Sequence, residues 1–212
     1  MTLIAFDFDG TLSDSEMTVL LGERAGVADE MARITERAMN DEIGYAESLR
    51  DRADLLADLS DAEAAAAFDE VRLRPGAGAV IDDLRAAGHH VAILTGGFDR
   101  GVAAALSAAD TAVDTVVANE LPVADEALTG EVTGPLIEGT KDDALASLAA
   151  DLGTTVDEAV AVGDGANDLP MLEVAGLAVG YDPKPAVAPA CDTVVTDVDE
   201  LAATLRGEAL FE

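Results

Sequence analysis

Basic residues are scarce in this 212-residue chain: 12 Lys and Arg stand against 43 Asp and Glu, a formal net charge of −31. Nucleic acid and anionic membrane surfaces are poor partners for it, because binding phosphate-rich surfaces takes clustered Lys and Arg. Tryptophan is absent and aromatics make up 3%. That composition suits a protein kept soluble in concentrated salt, where counterions screen self-repulsion, and a halophilic cytoplasm is the expected setting. The single cysteine, Cys191, excludes an internal disulfide and fits a reducing compartment; it reads as a packed, inert thiol. The two histidines, His89 and His90, are adjacent. Neighbours on a strand point to opposite faces, so they mark a helix-to-strand turn rather than a metal pair. No apolar run reaches the roughly 18–20 residues of a membrane-spanning helix, and no export signal is expected.

Half of the chain is hydrophobic, enough for a packed core. From Pro75 onward helical and strand patterns alternate. "GAVIDDLRAAG" and "KDDALASLAADLG" are amphipathic helices closed by glycine, while "VAILT", "TVVA", "AVAVG", "LAVG" and "TVV" are short apolar strands. Such repeats predict an α/β, Rossmann-like parallel sheet with helices on both faces. Residues 3–8 form the first strand, separated from the others by a stretch without strand signal. That stretch, 15–71, is expected to be a small inserted helical cap, leaving 1–14 and 72–212 as the catalytic core. Ser60 and Glu63 stand at capping-box spacing within it. Residues 121–137, with "LTGEVTGP", predict a small β-hairpin excursion.

In open parallel sheets, ligands bind beyond the carboxyl ends of the strands. Three strand ends here carry unusual residues: Asp7-Phe8-Asp9-Gly10-Thr11, Thr95-Gly96-Gly97, and Gly163-Asp164-Gly165-Ala166-Asn167-Asp168. The Asp-x-Asp spacing alone means little, since it recurs at Asp197 and Asp199 in a chain this acidic. Its place at the end of a buried strand means more, because an unpaired buried carboxylate costs several kcal/mol. Lys141 gains weight from rarity, as the chain has only one other lysine, Lys184. Clustered carboxylates without histidine or thiol favour a hard cation, Mg²⁺. A hydroxyl, glycine amides and a lysine make a cradle for phosphoryl oxygens. With the repulsion so neutralised, a carboxylate can attack phosphorus and form an aspartyl-phosphate.

"DFDGT", "TGG", Lys141 and "GDGANDLPML" resemble, in order and spacing, the four motifs of the haloacid dehalogenase-like phosphatase superfamily. "MNDEIGYAESLRDR" and "GDGANDLPMLEVAGLAVGYDPKP" bring the chain nearest to its branch that acts on O-phosphoserine, and the match spans almost the whole chain. The resemblance implies Asp7 as nucleophile and Asp9 as general acid, then base. It implies Mg²⁺ held by Asp7, Asp164 and the backbone carbonyl of Asp9, with Asp168 in support. Thr95, Gly96, Lys141 and Asn167 would bind phosphate. Glu16 would take the substrate ammonium and Arg52 its carboxylate, with Met39 and Tyr45 shielding the site. Thr95 stands where serine is usual and Tyr45 where phenylalanine is common; both changes bear on discrimination rather than chemistry. The alternatives are another small phosphomonoester such as phosphoglycolate, phosphoryl transfer to another alcohol, or a phosphate-binding regulatory protein. The expected partner is a small-molecule substrate, and the expected assembly a monomer or homodimer.

Overall fold

The computed structural model describes residues 1–39, 42–138 and 140–211, excluding the side chain of Met39. Six parallel strands form one sheet in the order β3-β2-β1-β6-β7-β8. They are β1 (Leu3–Phe6), β2 (His90–Phe98), β3 (Thr115–Asn119), β6 (Val160–Gly163), β7 (Leu177–Tyr181) and β8 (Thr193–Val195). The central strands are apolar on both faces because both are covered, and the period of two sorts their side chains. Phe6 lies in register with Ile93 and Val162, and Val162 with Val179, all in one core cluster. The opposite face carries a line of small residues: Ala92, Ala5, Ala161 and Ala178 are register partners in turn. The large-residue face meets α5 (Ala77–Ala86), α6 (Asp99–Ala108) and α9 (Val198–Gly207). The alanine face receives α7 (Lys141–Asp151) and α8 (Leu169–Val174) through Leu145, Ala149, Met171 and Leu172.

Four helices lie between β1 and α5: α1 (Met17–Ala25), α2 (Ala28–Met39), α3 (Tyr45–Asp54) and α4 (Asp61–Phe68). Ser60 caps α4 by accepting from Glu63 N–H at 3.3 Å, and its hydroxyl donates to the Glu63 carboxylate at 2.6 Å. This is half of the expected capping box, since the glutamate answers the hydroxyl rather than the backbone. The connections out to these helices and back run side by side. Ser13 bridges Leu73 in antiparallel sense, and Arg74 N–H donates to Leu12 O at 2.8 Å.

One boundary differs from the sequence reading. β1 ends at Phe6 rather than Phe8. Asp7 N–H still pairs with Val162 O at 2.8 Å, but Thr11 and Ser13 then both donate to Phe8 O, and Gly10 at φ 88° turns the chain out of the sheet. The hairpin, β4 (Val123–Ala124) and β5 (Ala127–Leu128), falls within the expected 121–137 and ends on the first residue of "LTGEVTGP". Asp125 and Glu126 make its two-residue turn at φ 50° and 65°. Asp-Glu makes that left-handed turn without the usual glycine. His89 and His90 behave as expected. Nδ1 of His89 accepts from Thr2 N–H at 3.1 Å, and Nε2 of His90 lies 2.9 Å from the Thr115 hydroxyl.

A net charge of −31 on a chain this size strains the folded state by self-repulsion. The melting temperature should therefore climb steeply as KCl rises from dilute to molar, in a thermal scan at fixed pH. A flat profile would show that charge repulsion does not limit the fold.

Candidate active site

The site gathers where β1 and β6 lie side by side and the strand order reverses. Asp7 follows the last residue of β1, Asp164 and Asp168 follow β6, and Lys141 is the first residue of α7. Asp7 and Lys141 are each 3% exposed and Asp168 is 0%. Burial to that degree excludes a surface ion-pair role. The Lys141 ammonium donates to Asp7 Oδ1, and to Asp168 Oδ1 at 2.5 Å. Asp168 Oδ2 accepts from the backbone N–H groups of Asp164 and Gly165, both at 2.9 Å. Asp168 thus orients the lysine with one oxygen and the Asp164 loop with the other.

Carboxylate oxygens of Asp7, Asp164 and Asp168 all lie within 4.8 Å of one another. Oδ1 of Asp9 is buried and has no hydrogen-bond partner among the described residues. A buried, all-oxygen donor set of this kind, with neither nitrogen nor sulfur, fits a hard divalent cation. A Cβ on Gly10 would fall 2.7 Å from Asp164 Oδ1, so the turn after Asp9 closes over that carboxylate only because residue 10 is glycine.

The titrations follow from this crowding. Burial first, and Asp168 second, push Asp7 up to about 7 against the pull of Lys141. Burial alone would lower Lys141, but Asp168 and Asp7 together raise it. Lys141 therefore stays charged, and a further cation beside Asp7 would favour its ionised form. Burial, then the charges of Glu16 and Asp7, hold Asp9 well above the usual carboxylate range. That upward direction favours the protonated form of Asp9 over the carboxylate.

Thr95 and Gly96 lie within β2. Thr95 is 1% exposed, and its hydroxyl oxygen accepts from Gly97 N–H at 3.0 Å. Both glycines of "TGG" are bare for steric reasons. A Cβ on Gly96 would fall 1.9 Å from the Tyr45 hydroxyl, and one on Gly97 2.9 Å from Asp9 Oδ2. Tyr45, the first residue of α3, thus rests its tip on the end of β2. Asn167 is exposed on the short 3₁₀ turn Ala166–Asp168.

Glu16 precedes α1 and spends no side-chain bond on capping it. It is open to solvent on one side; partial burial on the other, and then Asp164, raise its carboxyl, while Lys184 and Arg52 oppose the rise. Arg52 donates from Nε to Ser48 O at 3.2 Å and from Nη1 to the Thr18 hydroxyl at 3.3 Å. Burial lowers its guanidinium, and Tyr45, Glu16 and Asp9 counter that. Glu16, Tyr45 and Arg52 therefore face the carboxylate cluster from the helical segment. Met39 closes α2, and its side chain lies outside the described residues.

Three contributors lay beyond sequence reasoning. Lys184 donates from its ammonium to Asp164 Oδ2 and from its backbone N–H to Asp164 O, both at 2.9 Å. Its rarity was the available signal, as both lysines of the chain end on this cluster. Asn119, fully buried at the end of β3, donates to Gly96 O at 3.1 Å and accepts from Leu136 N–H at 3.1 Å. Thr11 directs its hydroxyl to Asp164 Oδ1 at 3.5 Å.

A family model described as haloacid dehalogenase-like hydrolase matches residues 4–173. A phosphoserine phosphatase of Halobacterium salinarum is 58% identical over 205 residues, covering 97% of each chain. One of Methanocaldococcus jannaschii is 36% identical over 198 residues, covering 93% of each. Among solved structures, a phospho-aspartyl intermediate analogue of phosphoserine phosphatase superposes with a TM-score of 0.87 at 35% identity, covering 96% of this chain and 98% of the other. A substrate-bound phosphoserine phosphatase gives 0.88 at 34% identity, with 96% and 97% covered.

Proposed function

The chain belongs to the haloacid dehalogenase-like hydrolases, and from that premise we infer that it hydrolyses O-phosphoserine to serine and phosphate through an aspartyl-phosphate. The near full-length likeness to phosphoserine phosphatases supports the reaction. The observation that carries the substrate is the oppositely charged pair Glu16 and Arg52. Glu16 stands just before α1 and Arg52 on α3, beside the carboxylate cluster and close enough to shift each other's titration. An amino acid needs one anion and one cation to hold it, and Arg presents its carboxylate partner with a planar fork.

The buried oxygen cluster fits a divalent cation, and within this reading the ion is Mg²⁺, held by Asp7, Asp164 and the Asp9 carbonyl, with Asp168 behind them. When bound it supplies positive charge against the phosphoryl oxygens and keeps Asp7 ionised. Lys141 holds Oδ1 of Asp7, leaving Oδ2 to attack phosphorus. As the P–O bond to serine breaks, Asp9 gives its proton to the leaving oxygen. Asp9, now a carboxylate, then takes a proton from the water that attacks phosphorus, releasing phosphate and restoring Asp7. Thr95, Gly96, Lys141 and Asn167 hold the phosphoryl group. Residues 15–71 act as a cap over a core of 1–14 and 72–212, with Tyr45 touching Gly96 at the closure. Among the described residues no helix is long and apolar enough to cross a membrane, and a cytoplasmic site of action is the reading that fits.

The test is phosphate release from phosphoserine, phosphoethanolamine and phosphoglycolate with Mg²⁺, for the parent and Arg52→Ala. Phosphoserine should lead clearly, since phosphoethanolamine leaves Arg52 without its carboxylate partner and phosphoglycolate leaves Glu16 without its ammonium. Arg52→Ala should lower kcat/KM for phosphoserine roughly a hundredfold, about 2.7 kcal/mol, and barely touch phosphoethanolamine, which has no carboxylate. Equal losses on both would reduce Arg52 to a strut between α3 and α1.

A further inference from the structure

Arg74 belongs to none of the motifs and lies in the turn "RLRPGAG", where the chain returns from its helical segment. It takes three consecutive backbone carbonyls. Its N–H donates to Leu12 O at 2.8 Å, its Nε to Thr11 O at 3.0 Å and its Nη2 to Gly10 O at 3.0 Å. The guanidinium sits over the ring of Tyr181, 5.0 Å from the centroid, and Tyr181 is 3% exposed on β7. The turn that follows Asp9 closes through its own N–H groups: Gly10 to Ser13 O at 2.9 Å, and Thr11 and Ser13 to Phe8 O at 3.2 and 2.9 Å. Its outward carbonyls are what Arg74 secures. Gly10, at φ 88°, is the freest residue of this turn, and the fork grips the carbonyls on either side of its bond to Thr11.

We propose that Arg74 is a positioning residue that locks the Gly10–Leu12 turn to β7 and so fixes where the Asp9 carboxyl stands relative to Asp7. This rests on the roles given to Asp7 and Asp9 above. Arg74 touches neither carboxyl and acts only through the backbone between them and itself. A misplacement of the acid by a fraction of an ångström tells on proton transfer more than on binding. The effect should scale with how much the leaving group needs a proton.

Arg74→Ala and Arg74→Lys should be compared with the parent on phosphoserine and on p-nitrophenyl phosphate, whose leaving group departs without a proton. In the first turnover, before the attack of water that both substrates share, Arg74→Ala should slow release of serine by about tenfold or more and release of p-nitrophenolate by no more than about threefold, with KM for phosphoserine within about threefold. Arg74→Lys keeps the charge but loses the fork, and should fall between Ala and the parent. Equal losses on the two substrates, or none, would overturn the proposal. If the alanine chain does not fold, full activity in the lysine variant overturns it equally. Failure of the parent to turn over phosphoserine would instead sink the substrate reading, and the same comparison would then be made between p-nitrophenyl phosphate and an alkyl phosphate that the parent does hydrolyse, whose leaving group also needs a proton.

Discussion

Asp7→Asn should leave less than about 1% of phosphoserine turnover, once slow deamidation back to Asp is excluded by mass spectrometry. The amide is a poor nucleophile, and it removes one carboxylate from the set that suits a divalent cation. The fold should survive, because Lys141 keeps its bond to Asp168 at 2.5 Å and a buried acid pushed up to about 7 is no source of stability near neutral pH. A melting temperature near the parent's, together with lost turnover, would locate the damage in chemistry. Residual activity well above that level would move the nucleophile elsewhere.

Asp9→Asn should be nearly as severe on phosphoserine, with kcat falling about a hundredfold to ten-thousandfold, the range for removal of a positioned acid. The serine alkoxide is a poor leaving group and needs a proton, and burial and anionic neighbours raise Asp9 in the direction that suits the proposed donor. In the first turnover on p-nitrophenyl phosphate, before the attack of water that both substrates share, the loss should be much smaller. A common loss on both substrates would argue that Asp9 serves the phosphate or the cation rather than the leaving group. The pH profile of the parent gives a second reading. The acidic partner should lose its proton at a pH well above that of an ordinary carboxyl, so the rate should hold as pH rises through 4 and fall only later.

Much of the sheet could be read from the chain because β1, β2, β6 and β7 are buried on both faces and so appear as unbroken apolar runs. The errors fall where the backbone serves the site. β1 stops at Phe6 so that Asp7 and Asp9 can leave the sheet, and β2 runs on through Thr95, Gly96 and Gly97 to Phe98. The carboxylates and Lys141 stood out because charge is unexpected next to such runs. Arg74 and Asn119 did not. Their partners are backbone carbonyls as many as 64 residues away, and a carbonyl has no identity in a sequence. Lys184 drew notice by rarity, but its partner Asp164 became evident only when the loops were placed together.

The line of alanines under α7 and α8 sets a height. A sheet that offers methyl groups lets a helix ride low upon it, and α7 begins with Lys141, whose ammonium must reach both Asp7 and Asp168. Any methylene added along Ala92, Ala5, Ala161 or Ala178 would act as a shim beneath that helix, lifting its first residue away from the carboxylates. This face is where filling the core for greater thermal endurance would collide with turnover. The opposite face, already thick with Phe6, Ile93 and Val162, offers its residues to repacking without tilting the lysine. The two sides of one sheet thus divide the labour, one supplying bulk and the other supplying reach.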